Sequence, residues 1–293
     1  MHRLYYDLLK KRKPYTERLR PMLRFDPNLR WLFTEVPMLD RYEAAAAAGF
    51  QGVEVAFPYE YPAHEIAARL ANNNLKLVQI LSPFDWDGGE RGTAALPGRE
   101  AAFKDSIRTA VDYAAQVGKP NIHVMPGNMA PGMDTKRCMD LFLENIAWAA
   151  DHAAKVGITL ILEPCCSARF PQFLYHRIDE GVKVCEQIGR DNVKLCFDTF
   201  HIQMEEGNIA ERLQAAWKHI GHIQVGNVPG RHEPNMGEIH FPYLFNLIEK
   251  LGWTEWIGCE YTPSGHTLDT LSWGAPFGIR DPRKSTQPLV PAC

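Results

Sequence analysis

Two hydrophobic periods take turns along the chain. Short β-rich runs recur, and each is followed by a longer stretch in which apolar residues return every three or four positions, the spacing of one helical face. "LRWLFTEV" precedes "MLDRYEAAAAAGF", "GVEVAF" precedes "PAHEIAARLANNN", and "LKLVQILSP" precedes "EAAFKDSIRTAVDYAAQVG". "NIHVMPGN" then leads into "DTKRCMDLFLENIAWAADHAAKVG", "ITLILEP" into "RIDEGVKVCEQIG", and "VKLCFDTFH" into "NIAERLQAAWKHIG". "HIQVGNVPG" with "FPYLFNLIEKLG" and "WIGCEYTP" with "HTLDTLSWG" complete the series. Gly49, Gly118, Gly157, Gly189, Gly221 and Gly252 each follow a helical stretch, as left-handed caps do.

Strands separated by helices of this size imply parallel crossovers. There are eight such units, the number that closes a barrel; an open doubly wound sheet uses fewer, and no glycine-rich phosphate fingerprint follows the first strand. The expected fold is α/β, a single (β/α)8 TIM barrel over residues 29–274. A basic extension, residues 1–28, is broken by Pro14 and Pro21, and a proline-rich tail covers 275–293. Both read as surface extensions, with arms reaching a neighbouring subunit as the alternative. The insert "FDWDGGERGTAALPG" is longer than an ordinary βα loop and reads as a lid or a subunit contact.

Composition narrows the function. With 293 residues and 45% hydrophobic content the chain can build one large domain. Its net charge of -3 lacks the basic excess of nucleic-acid binders, so no nucleic-acid partner is expected. No apolar run approaches the roughly 18 residues of a membrane span, and the opening stretch lacks a secretory pattern. Seven cysteines, including "PCCS", resemble neither a disulfide framework nor zinc knuckles. A reduced, cytoplasmic setting is expected, with Cys165 and Cys166 as packing residues.

Barrel enzymes draw their functional groups from the C-terminal ends of the strands. The last four units bring oxygen donors there: Glu163, Asp198, Gln224 and Glu260, spaced 35, 26 and 36 residues apart. In "ITLILEP", alternation sets Ile161 and Glu163 on one face and Leu160 and Leu162 on the other, and Pro164 keeps Glu163 extended. Gly258 and Glu260 share the inward face of "WIGCEY". Three carboxylates in one low-dielectric mouth repel each other, and a divalent cation relieves this. An all-oxygen set suits Mg²⁺ or Mn²⁺. Taken singly, an acidic residue at a strand end is more often a helix N-cap or a surface ion-pair partner. Four in consecutive units are harder to assign to caps. His201, three residues past Asp198, is a candidate substrate contact, with a plain packing role as the bland alternative. Arg231 and His232, in "PGRHEPN", are candidates for clamping an anionic group, against the reading of solvated loop residues.

"LFTEVPMLDRYEAAAAAGFQGVE", "GERGTAALPGRE", "LILEP", "FDTFHIQMEEGN", "GHIQVGNVPGRHEPNMGEIHFPYLF" and "GWTEWIGCEY" together resemble the hydroxypyruvate isomerases. That group sits in the xylose-isomerase-like barrel superfamily, alongside ketose epimerases of the D-tagatose 3-epimerase type. The resemblance spans roughly residues 29–274. It implies that Glu163, Asp198, Gln224 and Glu260 fall on the family's metal site, and Glu163 and Glu260 on its paired acid–base glutamates. It also implies a homo-oligomer, a dimer or tetramer, acting on a small-molecule substrate. "EPCCSARFPQF" departs from the "EPINTRDIPG" type usual in hydroxypyruvate isomerases, and "DTFHIQMEEGN" also looks like the epimerase version. The expected reaction is isomerisation of hydroxypyruvate to tartronate semialdehyde through an enediolate. Alternatives are a ketose 3-epimerase, a 2-oxo-tetronate isomerase, a non-catalytic sugar-binding barrel and, last, an endonuclease, which would need more histidine ligands and a basic face.

Overall fold

The computed structural model describes residues 23–284. Among them eight strands form one parallel sheet: β1 (Arg24–Pro27), β2 (Gly52–Glu54), β3 (Lys76–Leu81), β4 (Asn121–His123), β5 (Leu160–Leu162), β6 (Val193–Asp198), β7 (Ile220–Val225) and β8 (Trp256–Cys259). β1 pairs with β8, and a parallel bridge between Asn28 and Glu54 draws β1 towards β2, so the sheet curls into a nearly closed barrel. The helices are α1 (Arg41–Ala47), α2 (Ala63–Asn72), α3 (Glu100–Gln116), α4 (Thr135–Ala154), α5 (Ile178–Ile188), α6 (Thr199–Glu205), α7 (Ile209–Ala216) and α8 (Phe241–Lys250). A 3₁₀ run, Thr267–Phe277, follows β8.

Helix placement follows the apolar stripe. α3 buries Phe103, Ile107, Ala110, Val111 and Ala114, which repeat at three- and four-residue steps. α5 carries Asp179 and Glu180 in its first turn, where the helix dipole favours negative charge, and ends on Gly189 at φ 61°. The strands divide their side chains as alternation requires. Leu160 and Leu162 join the large core under the helices, while the fully buried Ile161 stands outside that cluster.

The first strand corrects the sequence reading. It lies at Arg24–Pro27, inside the stretch read as an extension, and not at Leu29–Val36. "RFDP" carries two charged residues and a proline, so it lacks the look of a strand, yet Phe25 and Asp26 are both buried. Leu29, Leu32 and Phe33 are buried from a run of turns, and their three- and four-residue spacing suits that geometry. Gly221, read as a helix cap, is a β7 residue, and α6 is a short helix that the reading of "VKLCFDTFH" as strand did not include. Part of the tail also packs. Ile279 is buried, and the Arg280 amide donates to the Ala48 carbonyl at 3.0 Å. The remainder of both terminal segments lies outside the described residues. The insert after β3 is not uniform: Ala94 and Ala95 are buried in the core, with the Ala95 amide on the Pro126 carbonyl at 2.8 Å, while residues 84–87 line an open cleft.

Inside the barrel, β8 has no room for a side chain at Gly258. A Cβ on Gly258 would overlap the Glu54 carboxylate and press on Gln224. Gly258→Ala is therefore expected to lose about 1–3 kcal/mol of stability, as overpacked core substitutions do. Urea unfolding would read this as a lower midpoint at constant slope; an unchanged midpoint would contradict the packing described.

Candidate active site

The C-terminal mouth of the barrel gathers the predicted residues at two depths. Glu163, one residue past β5, and Glu260, one past β8, both line a cavity of about 70 Å³, together with His123, His201 and Arg231. Asp198 ends β6 and caps α6: its Oδ1 accepts the Phe200 amide at 2.8 Å. The N-cap alternative is therefore literally present, but it uses only one oxygen. The other, Oδ2, accepts from Arg231 Nη2 and lies 4.0 Å from His201 Nε2.

Gln224 sits one layer deeper. Its Nε2 donates to Glu54 Oε2 at 2.7 Å, and its Oε1 accepts from the Cys196 thiol at 3.2 Å. The amide orientation follows from Glu54, whose carboxylate only accepts. Glu54 also takes the imidazole of His222 as a partner. Asn28 Nδ2 links the two layers, reaching Glu54 Oε2 at 3.2 Å and Glu260 Oε2 at 3.3 Å.

Arg231 crosses the site instead of standing at its rim. Nη2 donates to Asp198 and, at 2.8 Å, to Glu260 Oε1, while Nε donates to the Glu260 carbonyl at 3.0 Å. Burial works against its charge, but Asp198, Glu260 and Glu163 outweigh that and raise its pKa. His232 is placed differently: its Nδ1 donates to the Thr262 carbonyl at 2.8 Å, and its ring is not among the groups lining the cavity.

Glu163 is 7% exposed; its Oε2 accepts from the Cys165 thiol at 3.3 Å, and its buried Oε1 has no partner. Burial, then the charges of Asp198 and Glu260, hold its carboxyl well above the ordinary range. Burial pushes Glu260 up to about 7 against the pull of Arg231. His201 Nδ1 accepts the Cys166 amide at 3.2 Å, and its Nε2 lies 3.4 Å from Arg231 Nη1 and 4.0 Å from Asp198 Oδ2. Burial, then Arg231, keep its pKa well below the free value, so the ring is neutral. Burial likewise lowers His123 to about 4. Glu163, Cys165 and His201 each offer a ligand atom within 4.8 Å of the others, a second donor set for a metal.

Sequence reasoning passed over Asn28, Arg30, Glu54, Trp86 and His123. Glu54 and His123 had a visible signal, as polar residues inside "GVEVAF" and "NIHVM". Arg30 and Trp86 had none, because they meet only through the fold.

A sequence profile described as "Xylose isomerase-like TIM barrel" matches residues 42–277. The chain belongs to that family. A 2-oxo-tetronate isomerase from Cupriavidus necator is 45% identical over 257 residues, covering 87% of this chain and 99% of the relative. The hydroxypyruvate isomerase of Escherichia coli is 37% identical, covering 87% and 100%. Among solved structures, one titled AP endonuclease, family 2, from Brucella melitensis superposes with a TM-score of 0.85 at 40% identity, covering 87% and 99%. An L-ribulose 3-epimerase shares the fold at a TM-score of 0.70 and 22% identity, covering 87% and 86%. With this kinship the chain is an isomerase of the xylose isomerase-like family. No described helix is long and apolar enough to cross a membrane.

Proposed function

We propose that the protein isomerises a short sugar acid, moving the carbonyl between C2 and C3 of a hydroxy-oxo acid. Hydroxypyruvate to tartronate semialdehyde is the three-carbon case; 2-oxo-tetronate is the four-carbon homologue, with a hydroxymethyl group on C3. The observation that carries the reading is the pair of glutamates from β5 and β8, Glu163 buried and Glu260 half-buried, with two strands between them on the barrel rim, lining one small cavity. An isomerase needs one group to take the C3 proton and another to deliver a proton to C2, since both carbons lie next to a carbonyl in turn. Glu163 and Glu260 are those groups in this reading. Their burial raises their pKa values towards the working range of a proton shuttle. His201, neutral with Nε2 near Asp198 and Arg231, hydrogen-bonds to a substrate oxygen. Arg231 holds Asp198 and Glu260 in place. Trp31, Phe57 and Phe170 wall the cavity and limit water around the reacting carbons.

The site's own charges fit a divalent cation. Asp198 and Glu260 share one paired guanidinium, that of Arg231, while Glu163 has no ion-pair arginine among the described residues and one of its buried oxygens has no partner. Glu163, Asp198 and Glu260 are the residues that would hold Mg²⁺ or Mn²⁺; the Gln224 amide, whose oxygen accepts from Cys196 and whose nitrogen donates to Glu54, would have to turn from both to supply a fourth oxygen. The Glu163, Cys165 and His201 set is the weaker choice. Its thiol keeps its proton in a hydrogen bond to Glu163, and a thiol must lose that proton to bind metal. When bound, the cation supplies Lewis-acid stabilisation of negative charge on the substrate oxygens.

The endonuclease alternative, which the name of the Brucella relative shares, lacks the basic excess a nucleic-acid backbone requires: the chain's net charge is -3. Proton NMR in D₂O tests the proposal with hydroxypyruvate, 2-oxo-tetronate and a neutral ketose. Exchange and isomerisation of an acid support it. Turnover confined to the neutral ketose would move the enzyme to the epimerases.

A further inference from the structure

We propose that Arg30, and not Arg231, receives the substrate carboxylate, and that Arg30 thereby sets the preference for sugar acids over neutral sugars. The inference rests on the sugar-acid reading above. Arg231 is already committed: three of its N–H groups reach Asp198, Glu260 and the Glu260 carbonyl. A substrate carboxylate placed there would compete with two protein carboxylates for one guanidinium. Arg41, the other arginine lining the outer cleft, donates to the Val36 and Leu29 carbonyls.

Arg30 differs from both. Its guanidinium has no carboxylate or carbonyl partner among the described residues, and it is exposed. It lines the inner cavity with Glu163 and Glu260, and it also lines the adjoining cleft of about 560 Å³. It therefore stands where the two spaces join. Its backbone is tied to the catalytic layer, because the Arg30 amide donates to Asn28 Oδ1 at 3.1 Å while Asn28 Nδ2 reaches Glu260. Its side chain is also held. The guanidinium carbon lies 4.7 Å from the Trp86 ring centroid and 5.8 Å from that of Phe57, and Arg91 covers Trp86 at 3.9 Å. Stacking orients the planar fork yet leaves its in-plane N–H groups unspent, the arrangement that suits bidentate capture of a carboxylate. A three- or four-carbon acid anchored there by its carboxylate would extend C2 and C3 inward to the glutamates.

The test compares wild type, Arg30→Met and Arg30→Lys on hydroxypyruvate and on dihydroxyacetone, which carries a hydroxymethyl group where the acid has its carboxylate. Arg30→Met is expected to lower kcat/KM for the acid by about 100-fold, mostly through KM, the size of a lost charge-assisted bidentate contact. Solvent exchange into dihydroxyacetone should stay unchanged, and Arg30→Lys should recover part of the loss. Equal losses on both substrates, or no loss on the acid, would overturn the assignment. Calorimetric titration with D-glycerate, an unreactive carboxylate, separates this inference from the functional reading. Binding that is lost in Arg30→Met, in an enzyme that turns over neither acid, keeps the Arg30 site and removes the proposed reaction. Turnover and glycerate binding untouched in Arg30→Met remove the Arg30 site and keep the reaction.

Discussion

Glu163→Gln and Glu260→Gln each lower the isomerisation rate by about a thousandfold, the middle of the range for a lost general acid or base. Glutamine keeps the size of the side chain, so circular dichroism and the thermal midpoint should show a folded barrel in both variants. The two substitutions should not be equivalent in solvent deuterium exchange. Removing the base stops exchange at C3, whereas removing its partner leaves exchange and blocks delivery of the proton to C2. That difference assigns the two roles. It matters because burial raises both pKa values, and the hydrogen bonds differ without ordering the pair: Glu163 takes the Cys165 thiol, Glu260 takes Arg231 and Asn28. Substantial isomerisation by either variant would remove the paired-glutamate mechanism.

Chelation is the second large effect. Dialysis against EDTA is expected to reduce turnover to about a hundredth or less, and Mg²⁺ or Mn²⁺ to restore it, since Lewis-acid stabilisation contributes several kcal/mol. The apo protein should also melt lower. At a metal concentration about 100 times Kd the ion stabilises by about 2.7 kcal/mol, which for a chain of this size corresponds to roughly 4–5 °C. Asp198→Asn should weaken that thermal shift, and its effect has a second source, because the same side chain caps α6 through Phe200. The metal-free protein separates the two: a lower midpoint without metal reports lost capping, and a further deficit that appears only with metal reports lost ligation. Full activity after exhaustive chelation would sink the metal assignment and leave Arg231 as the cation paired with Asp198 and Glu260.

Several features were legible in the chain because they rest on local periodicity. Alternation in "ITLILEP" placed Leu160 and Leu162 towards the helices, and the structure has both in the outer core. The count of eight units rested on helix-sized separations and survives even where the first strand was misplaced. That misplacement has a local cause: Asp26 and Pro27 hide a buried strand, while Leu29, Leu32 and Phe33 imitate one. Placing Glu163, Asp198 and Glu260 at one mouth needed only strand direction and spacing. Gln224 sits on the correct strand, but its amide turns to Glu54, whose partners His222 and Asn28 come from elsewhere in the fold.

Read alone, then, the chain's two periods determine the barrel and which strand ends carry oxygen donors, since both depend on neighbours a few residues apart. Partnership was decided by the tertiary structure. Arg231 looked like a free cation in a loop until the fold set it between Asp198 and Glu260, and His232, its neighbour, turned to the Thr262 carbonyl. Arg30 looked unremarkable beside β1 until Trp86, 56 residues along, came to lie against it. Charge and hydrogen-bond pairing act across a few ångströms of space between residues far apart in sequence, so no local pattern encodes which donor meets which acceptor.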